Sequence, residues 1–342
     1  MLSVCCSMMA AGEYIPDEPL FQETFDAMTN GGFSLSPVAL AEKLIDLLTG
    51  ELHELTYYLV IFFCLGALTS VVNLLGQDFK SRITEISFFA CYTIAASTAV
   101  KCFSVCLDYA TTVMGDMTDF ITKLSPVLAT LLITSGSTVS AGAFHPVLSA
   151  AVYAVSIICH KCIIPLASYS TVLSIANNIS DQVQISGTCR LISSVSKWIL
   201  ALSFTLFTGI CGIYGFTAPA LDVVSAKTVK FAVGSLVPVV GNFLSDTLET
   251  VISGGRMMKN TVGSAGLVVL CTICAVPVIK IGVMALVVRI SSAVIEPITD
   301  KRISGLLSDI SNSITILFGM VATTAVLFII CISIILAATG GG

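Results

Sequence analysis

Long apolar stretches separated by short polar segments form the main pattern of the sequence. The clearest stretches cover residues 55–75, 86–107, 191–215 and 314–338. A helix needs about 20 predominantly apolar residues to cross the hydrocarbon core of a bilayer, and each of these stretches meets that length. The pattern predicts an all-α fold, a polytopic membrane helical bundle with about six to ten membrane segments.

The composition agrees with a membrane protein and argues against other classes. Hydrophobic residues make up 56% of the chain and charged residues 11%, whereas soluble domains carry about 25% charged residues. The net charge of −5 makes nucleic acid an unsuitable partner, so membrane lipid is the expected surrounding. The sequence has no P-loop, HExxH, GxSxG or dinucleotide fingerprint. We therefore predict no enzyme activity, catalytic residue, cofactor or metal site.

Charged residues between the apolar stretches predict the orientation. Lys80 and Arg82 lie in the first connection, and cytoplasmic loops are enriched in such residues. The acidic N-terminal segment and the C-terminus are therefore both predicted to be extracytoplasmic.

Residues 1–11 resemble the end of a secretory signal peptide without its basic start. Residues 38–48 are a candidate amphipathic surface helix.

The second half of the chain repeats the first half at a spacing of 112 residues. Proline, glycine, cysteine and arginine positions recur together, which apolar composition alone would not produce. The matched pairs are Pro126 and Pro238, Gly142 and Gly254, Cys159 and Cys271, Cys162 and Cys274, Pro165 and Pro277, and Arg190 and Arg302. Both arginines would be cytoplasmic, so we predict a tandem repeat of two parallel units related by an axis along the membrane normal.

These features divide the chain into four predicted regions. They are an extracytoplasmic N-terminal segment (1–54), two N-terminal transmembrane helices (55–107), a first membrane repeat (108–215), and a second repeat with the final transmembrane helix (216–342). Within the second repeat, residues 238–252 would form a helix only about 22 Å long, shorter than a hydrocarbon core of roughly 30 Å. This helix is predicted to be tilted, re-entrant or a half-helix.

A polar stripe on this short helix is the candidate functional site. Asn242, Asp246 and Glu249 are spaced i, i+4 and i+7, which places them on one helix face. The positions related to them by the repeat are Thr130, Thr134 and Ser137. Two such stripes at a repeat interface predict a polar pathway, as in secondary transporters. The alternative is an amphipathic helix on the membrane surface with its carboxylates in water.

Two CxxC pairs and several basic residues are further candidates. Cys159 to Cys162 and Cys271 to Cys274 resemble redox pairs, but both occur in apolar helical stretches, which favours a structural role. Basic residues within or near the apolar stretches would pair with carboxylates or extend to the membrane interface. They are Lys101, Lys161, Lys280 and Arg289. His145, beside Pro146, would titrate near neutral pH or be structural.

Several segments resemble the stage III sporulation protein AE family of endospore-forming bacteria. They are LSPVLATLLITSG, AGAFHP, LVPVVGNFLSDTLETVISG, KNTVGSAGLVVL and EPITDKRI. The resemblance extends from about residue 55 to the C-terminus. It implies a multi-pass protein of the mother-cell membrane around the forespore. It also implies assembly with the other stage III A-operon proteins, including a separate ATPase subunit, and with the forespore protein stage II sporulation protein Q.

The resemblance implies a permease-like export or transport subunit of a trans-envelope channel complex, and it assigns no catalytic residue. A non-conducting membrane scaffold for the same complex is the alternative. A membrane thiol oxidoreductase is a third hypothesis, based on the CxxC pairs alone.

Overall fold

A computed structural model of the chain describes residues 57–71, 82–135, 137–179, 185–236 and 241–337. For most of residues 215–265 it describes the backbone alone. The described residues form helices and no strand. The helices are α1 (Tyr57–Val71), α2 (Arg82–Thr134), α3 (Thr138–Ile158), a π-helical turn (Cys159–Ile163), α4 (Ile164–Ile179), α5 (Ser186–Leu236), α6 (Gly241–Ile295) and α7 (Lys301–Ala337).

Five stretches of these helices are long and apolar enough to cross a membrane, which confirms the prediction of a membrane helical bundle. They are Ile86–Thr134, Pro146–Ile179, Ser186–Tyr214, Val269–Ile295 and Lys301–Ile334. The shorter helix α1 is also apolar. The chain is therefore a multi-pass membrane protein, and its described helices account for five candidate spans.

Several helices are longer than the sequence predicts. The sequence predicts a membrane span that ends at residue 107, but α2 continues to Thr134 without a break. The charged residues that follow residue 107 make this part of the helix unsuitable for hydrocarbon, yet they do not interrupt it. Pro126 removes only one backbone N–H donor. Helix α2 has 53 residues, which corresponds to about 80 Å at 1.5 Å per residue.

The short helix predicted over residues 238–252 is likewise part of a longer one. Helix α6 begins at Gly241 and continues to Ile295 over 55 residues. It passes through Gly254 and Gly255, which cost about 1 kcal/mol each relative to alanine without ending a helix. It also passes through Pro277, whose missing N–H is a local defect. The prediction of a separate re-entrant or half-helix at this position is wrong.

Helix α7 is the central element of the described bundle. It packs against α2, α4, α5 and α6, and its contact with α6 is the most extensive in the structure. Its fully buried side chains recur every three or four residues, as expected for a helix surrounded by others. They include Leu306, Leu307, Ile310, Ile314, Leu317, Met320, Val321, Phe328 and Cys331.

Buried serines join α6 to α7 by hydrogen bonds between the helices. The Ser292 hydroxyl of α6 donates to the carbonyl of Ser304, at 2.8 Å. The Ser311 hydroxyl of α7 donates in the opposite direction to the carbonyl of Ala285, at 3.0 Å. Small polar residues of this kind allow helix backbones to approach closely in membranes. They explain why two apolar helices keep a fixed register.

The π-helical turn lies where Pro165 follows the first CxxC pair. The backbone N–H of Ile164 bonds to the carbonyl of Cys159, five residues earlier. Proline has no N–H to donate, so the wider turn before it lets the chain pass Pro165 and continue as α4. Residues 138–179 therefore form one continuous helical run instead of two separate segments.

The tandem repeat stays a prediction. Two successive pairs of helical segments, the α3–α4 run with α5 and then α6 with α7, pack together within each pair. Arg190 and Arg302 lie near the starts of α5 and α7. The predicted boundary at residues 107 and 108 falls inside α2, and the one at residues 215 and 216 falls inside α5.

The close approach of α6 and α7 gives a test of the packing. A Cβ atom added at Gly282 would lie 2.9 Å from Cε2 of the Phe318 ring, which is too close. At Gly319 the nearest atom would be Leu200 Cδ1, at an ordinary 3.8 Å. We expect Gly282→Val to cost about 1–3 kcal/mol by overpacking, and Gly319→Ala to be tolerated. Thermal unfolding of the detergent-purified variants, followed by size-exclusion chromatography, measures both. Equal behaviour of the two variants would contradict this packing.

Candidate functional site

A group of polar side chains lies near the start of α2, at the ends of three other helices. The end of α4, the start of α5 and the start of α7 come together here. The hydroxyl of Tyr92, from α2, donates a hydrogen bond of 2.8 Å to the carbonyl of Ile175 in α4. We call Tyr92, Asn178, Arg190, Arg302 and Asp309 the turn-end cluster.

The contact between Asn178 and Asp309 is the centre of the turn-end cluster. The amide nitrogen of Asn178 donates to Asp309 Oδ2 at 3.0 Å. The same nitrogen donates to the carbonyl of Ser174 at 2.8 Å, so it has partners for both of its hydrogens. Both side chains are half-buried. The contact joins α4 to α7 and fixes the rotamer of the amide.

Glycine at position 305 makes room for this contact. A Cβ atom there would lie 2.7 Å from Asn178 Oδ1. That amide cannot swing away freely because its nitrogen is bonded on two sides. Gly305 therefore lets the side chain of Asn178 lie against the backbone of α7.

Arg190 supplies positive charge near the carboxylate, and Arg302 lies over an aromatic ring of α2. Arg190 is near enough to Asp309 for its charge to act on the carboxyl group. The guanidinium of Arg302 lies over the Phe88 ring, 5.4 Å from the centroid, a cation–π distance. The backbone N–H of Arg302 donates to the Asp300 carboxylate at 3.0 Å, which satisfies one of the free donors at the start of α7.

This arrangement has the chemistry of a polar relay in a helix bundle. Carboxylates and arginines within membrane spans are costly, and they are retained where ions, protons or substrates pass. The same contacts also hold α2, α4 and α7 together. The sequence predicts the two arginines as a repeat-related pair, and the structure places both in one cluster.

Sequence reasoning missed Tyr92, Asn178 and Asp309. The signal was the position of Asp309, which is three residues after the fully buried Leu306 in α7. An ionisable residue there needs a partner from a neighbouring helix. The partner is 131 residues away in the chain, so sequence spacing could not identify it.

The structure gives no support for bringing the two predicted polar stripes together. Asn242, Asp246 and Glu249 fall within α6, but their side chains lie outside the described part of the structure. Thr130 and Thr134 are exposed, and their hydroxyls donate to carbonyls of their own helix, those of Pro126 and Leu131, at 2.9 and 3.0 Å. Ser137 is buried between α2 and α3. The polar pathway through these six residues stays a prediction.

The CxxC cysteines are packed into helices without disulfides. All four are free thiols. Cys159 is buried, with its sulfur 3.8 Å from the Thr324 hydroxyl of α7. Cys274 is buried as well, whereas Cys271 is exposed. Among the described residues no group of three His, Cys, Asp or Glu side chains is placed to hold a metal ion. This packing favours a structural role for Cys159 and Cys274.

The basic residues of the apolar stretches are placed in different surroundings. Lys101 and Lys161 are exposed. The ammonium of Lys280 lies 5.0 Å from the centroid of the Tyr109 ring. The guanidinium of Arg289 is 3.4 Å from the side-chain oxygen of Asn312. The side chain of His145 lies outside the described part of the structure.

Comparison with known proteins identifies the family. The profile of the family Stage III sporulation protein AE (spore_III_AE) matches residues 20–339. The chain belongs to the stage III sporulation protein AE family. It is 30% identical over 318 residues to Stage III sporulation protein AE of Bacillus subtilis (strain 168), covering 90% of this chain and 78% of that protein. No solved structure matches the chain.

Membership of the stage III sporulation protein AE family confirms the resemblance seen in the sequence and supports a role in sporulation. The family match includes the turn-end cluster from α2 to α7. It also includes the segments around Pro126 and Pro238 in which the sequence places the polar stripes.

Proposed function

We propose that the chain is a permease-like subunit of a trans-envelope channel complex needed for endospore development. It lies in the mother-cell membrane around the forespore, with both termini extracytoplasmic. It assembles with the other stage III A-operon proteins, including a separate ATPase subunit, and through them with stage II sporulation protein Q of the forespore. It performs no enzymatic step of its own. Its membership of a sporulation family and its five candidate spans support this role.

The observation that carries the transport proposal is the contact between Asn178 and Asp309. A carboxylate between two candidate spans costs free energy that apolar residues would not. Two apolar side chains could hold α4 and α7 together without that cost. The presence of Asp309, with Arg190 nearby, favours a site where charge is used during transport.

One observation favours the alternative of a non-conducting scaffold. Along α5 a row of large apolar side chains is exposed, spaced at helical intervals. It consists of Leu191, Trp198, Leu202, Leu206 and Ile213, between 57% and 75% exposed. Such a face fits either lipid or the apolar helices of partner subunits. A scaffold would use this face and would not depend on the charge of Asp309.

The substitution Asp309→Asn separates the two roles. It keeps the size of the side chain and an oxygen that can accept the hydrogen bond from Asn178, but it removes the charge. We expect normal protein level and complex assembly, while small-molecule transfer into the engulfed forespore and the yield of mature spores fall close to those of cells without the protein. Asp108→Asn, the same change at an exposed position of α2, is the control and should behave as the unmodified protein does.

Each outcome decides between the roles. Normal assembly with failed transfer supports the permease-like role. Normal transfer, or a loss of transfer that follows a loss of assembly, would favour the scaffold. The predicted polar stripe is tested in the same cells by combining Asp246→Asn with Glu249→Gln.

A further inference from the structure

A cavity of about 240 Å³ lies between α2 and α3, away from the turn-end cluster. Six of its nine lining residues carry hydroxyl groups, and the other three are aliphatic. The hydroxyl residues are Thr118, Thr122 and Ser125 on α2 and Ser149, Tyr153 and Ser156 on α3. We call the space that these residues line the hydroxyl cavity. Its lining contains no charged residue.

Both helices place their hydroxyls at the same spacing. On each helix the three residues stand at i, i+4 and i+7, which aligns them along one helix face. The two faces meet at the cavity between candidate spans Ile86–Thr134 and Pro146–Ile179. A void between two membrane helices is normally filled by apolar side chains, since every empty volume forfeits packing. Hydroxyls on both walls, set among aliphatic side chains, allow this void to hold a polar occupant.

Ser125 gives an independent indication of an occupant. Its side chain is only 5% exposed, and its Oγ atom is buried with no hydrogen-bond partner in the protein. Leaving a buried hydroxyl without a partner is costly. Buried polar groups in native proteins nearly always have a partner. A molecule in the cavity would supply the missing hydrogen bond.

The remaining hydroxyls indicate the chemistry of this molecule. The Thr118 and Thr122 hydroxyls each donate to a carbonyl of their own helix, those of Met114 and Thr118, at 2.7 Å. Each oxygen then has only lone pairs to offer to a ligand. These two oxygens therefore favour a ligand with O–H or N–H donors. The lining offers no counter-charge to a charged ligand, and removing such a ligand from water would be costly.

We propose that the hydroxyl cavity binds a small, uncharged molecule rich in hydroxyl or amide N–H groups. Its volume corresponds to the share of about eight water molecules in the liquid, which is the size range of a polyol or a small sugar. Tyr153, which is 69% exposed, lies at the mouth of the cavity. Binding does not depend on the transport role proposed above, because it is measured on the purified chain.

The test uses the full chain in lipid nanodiscs with radiolabelled glycerol and glucose as neutral probes and glutamate as a charged one. We expect saturable binding of at least one neutral probe and none of glutamate. Thr122→Val should weaken it about fivefold, since one hydrogen bond is worth about 1 kcal/mol. Ser156→Leu should lower the affinity further, since the leucine side chain takes up part of the cavity and removes a hydroxyl. Thr93→Val is the control, since its hydroxyl also bonds its own helix, at Phe89, but Thr93 does not line the cavity.

Ser125→Ala adds a readout that an empty, purely structural cavity would not show. Removing an unpartnered hydroxyl should leave the thermal stability of the ligand-free chain unchanged or higher, while probe affinity falls. The proposal is overturned if neither neutral probe binds saturably, if glutamate binds equally well, or if the affinity is unchanged in both Thr122→Val and Ser156→Leu. It is also overturned if Ser125→Ala lowers stability without changing affinity.

Discussion

Replacing Phe328 with alanine should lower the free energy of unfolding by about 3 kcal/mol. The Phe328 side chain is fully buried on α7, the helix that contacts four others. Lipid tails are as apolar as phenylalanine, so the loss comes mainly from packing and from the void that the ring leaves. That places the expected value at the lower end of the range for buried aromatic residues. Thermal or denaturant unfolding of the purified chain measures it.

Val326→Ala provides the comparison on the same helix. Val326 lies two residues away and is 44% exposed, so its truncation leaves no enclosed void and should change stability by only a few tenths of a kcal/mol. A similar loss in both variants would show that α7 is not the packed centre of the bundle. A large loss in Phe328→Ala alone would confirm it.

The apolar stretches alone predicted the fold class, because the length of an apolar helix is set by bilayer thickness. They did not predict where the helices end. Asp108, Asp116 and Asp119 indicate a polar environment, yet aspartate is compatible with a helix, so α2 continues through them. Pro126 and Pro277 also lie inside helices. Charged residues indicate exposure to solvent, and prolines indicate local defects within a helix. The positions of helix ends depend instead on tertiary contacts.

The candidate site was predicted only in part for the same reason. The sequence singled out Arg190 and Arg302 as a recurring pair that marks the repeat, but not as residues of a site. Asn178 and Asp309 meet through the packing of α4 on α7, which no local pattern encodes. The hydroxyl cavity has the i, i+4, i+7 spacing that the sequence does show on each helix, but only the structure places α2 and α3 face to face.

The second large effect is expected at the turn-end cluster. Asn178→Leu removes the amide that donates to Asp309 at 3.0 Å, and it leaves a half-buried carboxylate without that donor. A hydrogen bond to a charged group contributes about 1.5–3 kcal/mol, and the unfolding free energy should fall by about that amount. Asn312→Leu, which removes only the long contact of 3.4 Å with Arg289, should cost much less. Thermal unfolding of both purified variants measures the difference.

The double variant Asn178→Leu with Asp309→Leu separates stability from function at this site. Replacing both partners by apolar groups removes the unmatched carboxylate, so stability should recover most of what Asn178→Leu loses. If the cluster served only to join α4 and α7, spore formation would recover together with stability. If Asp309 takes part in transport, the double variant should be stable and assembled but still fail to support spores. Failure of the double variant to regain stability would instead mean that the hydrogen bond is not what holds these helices together.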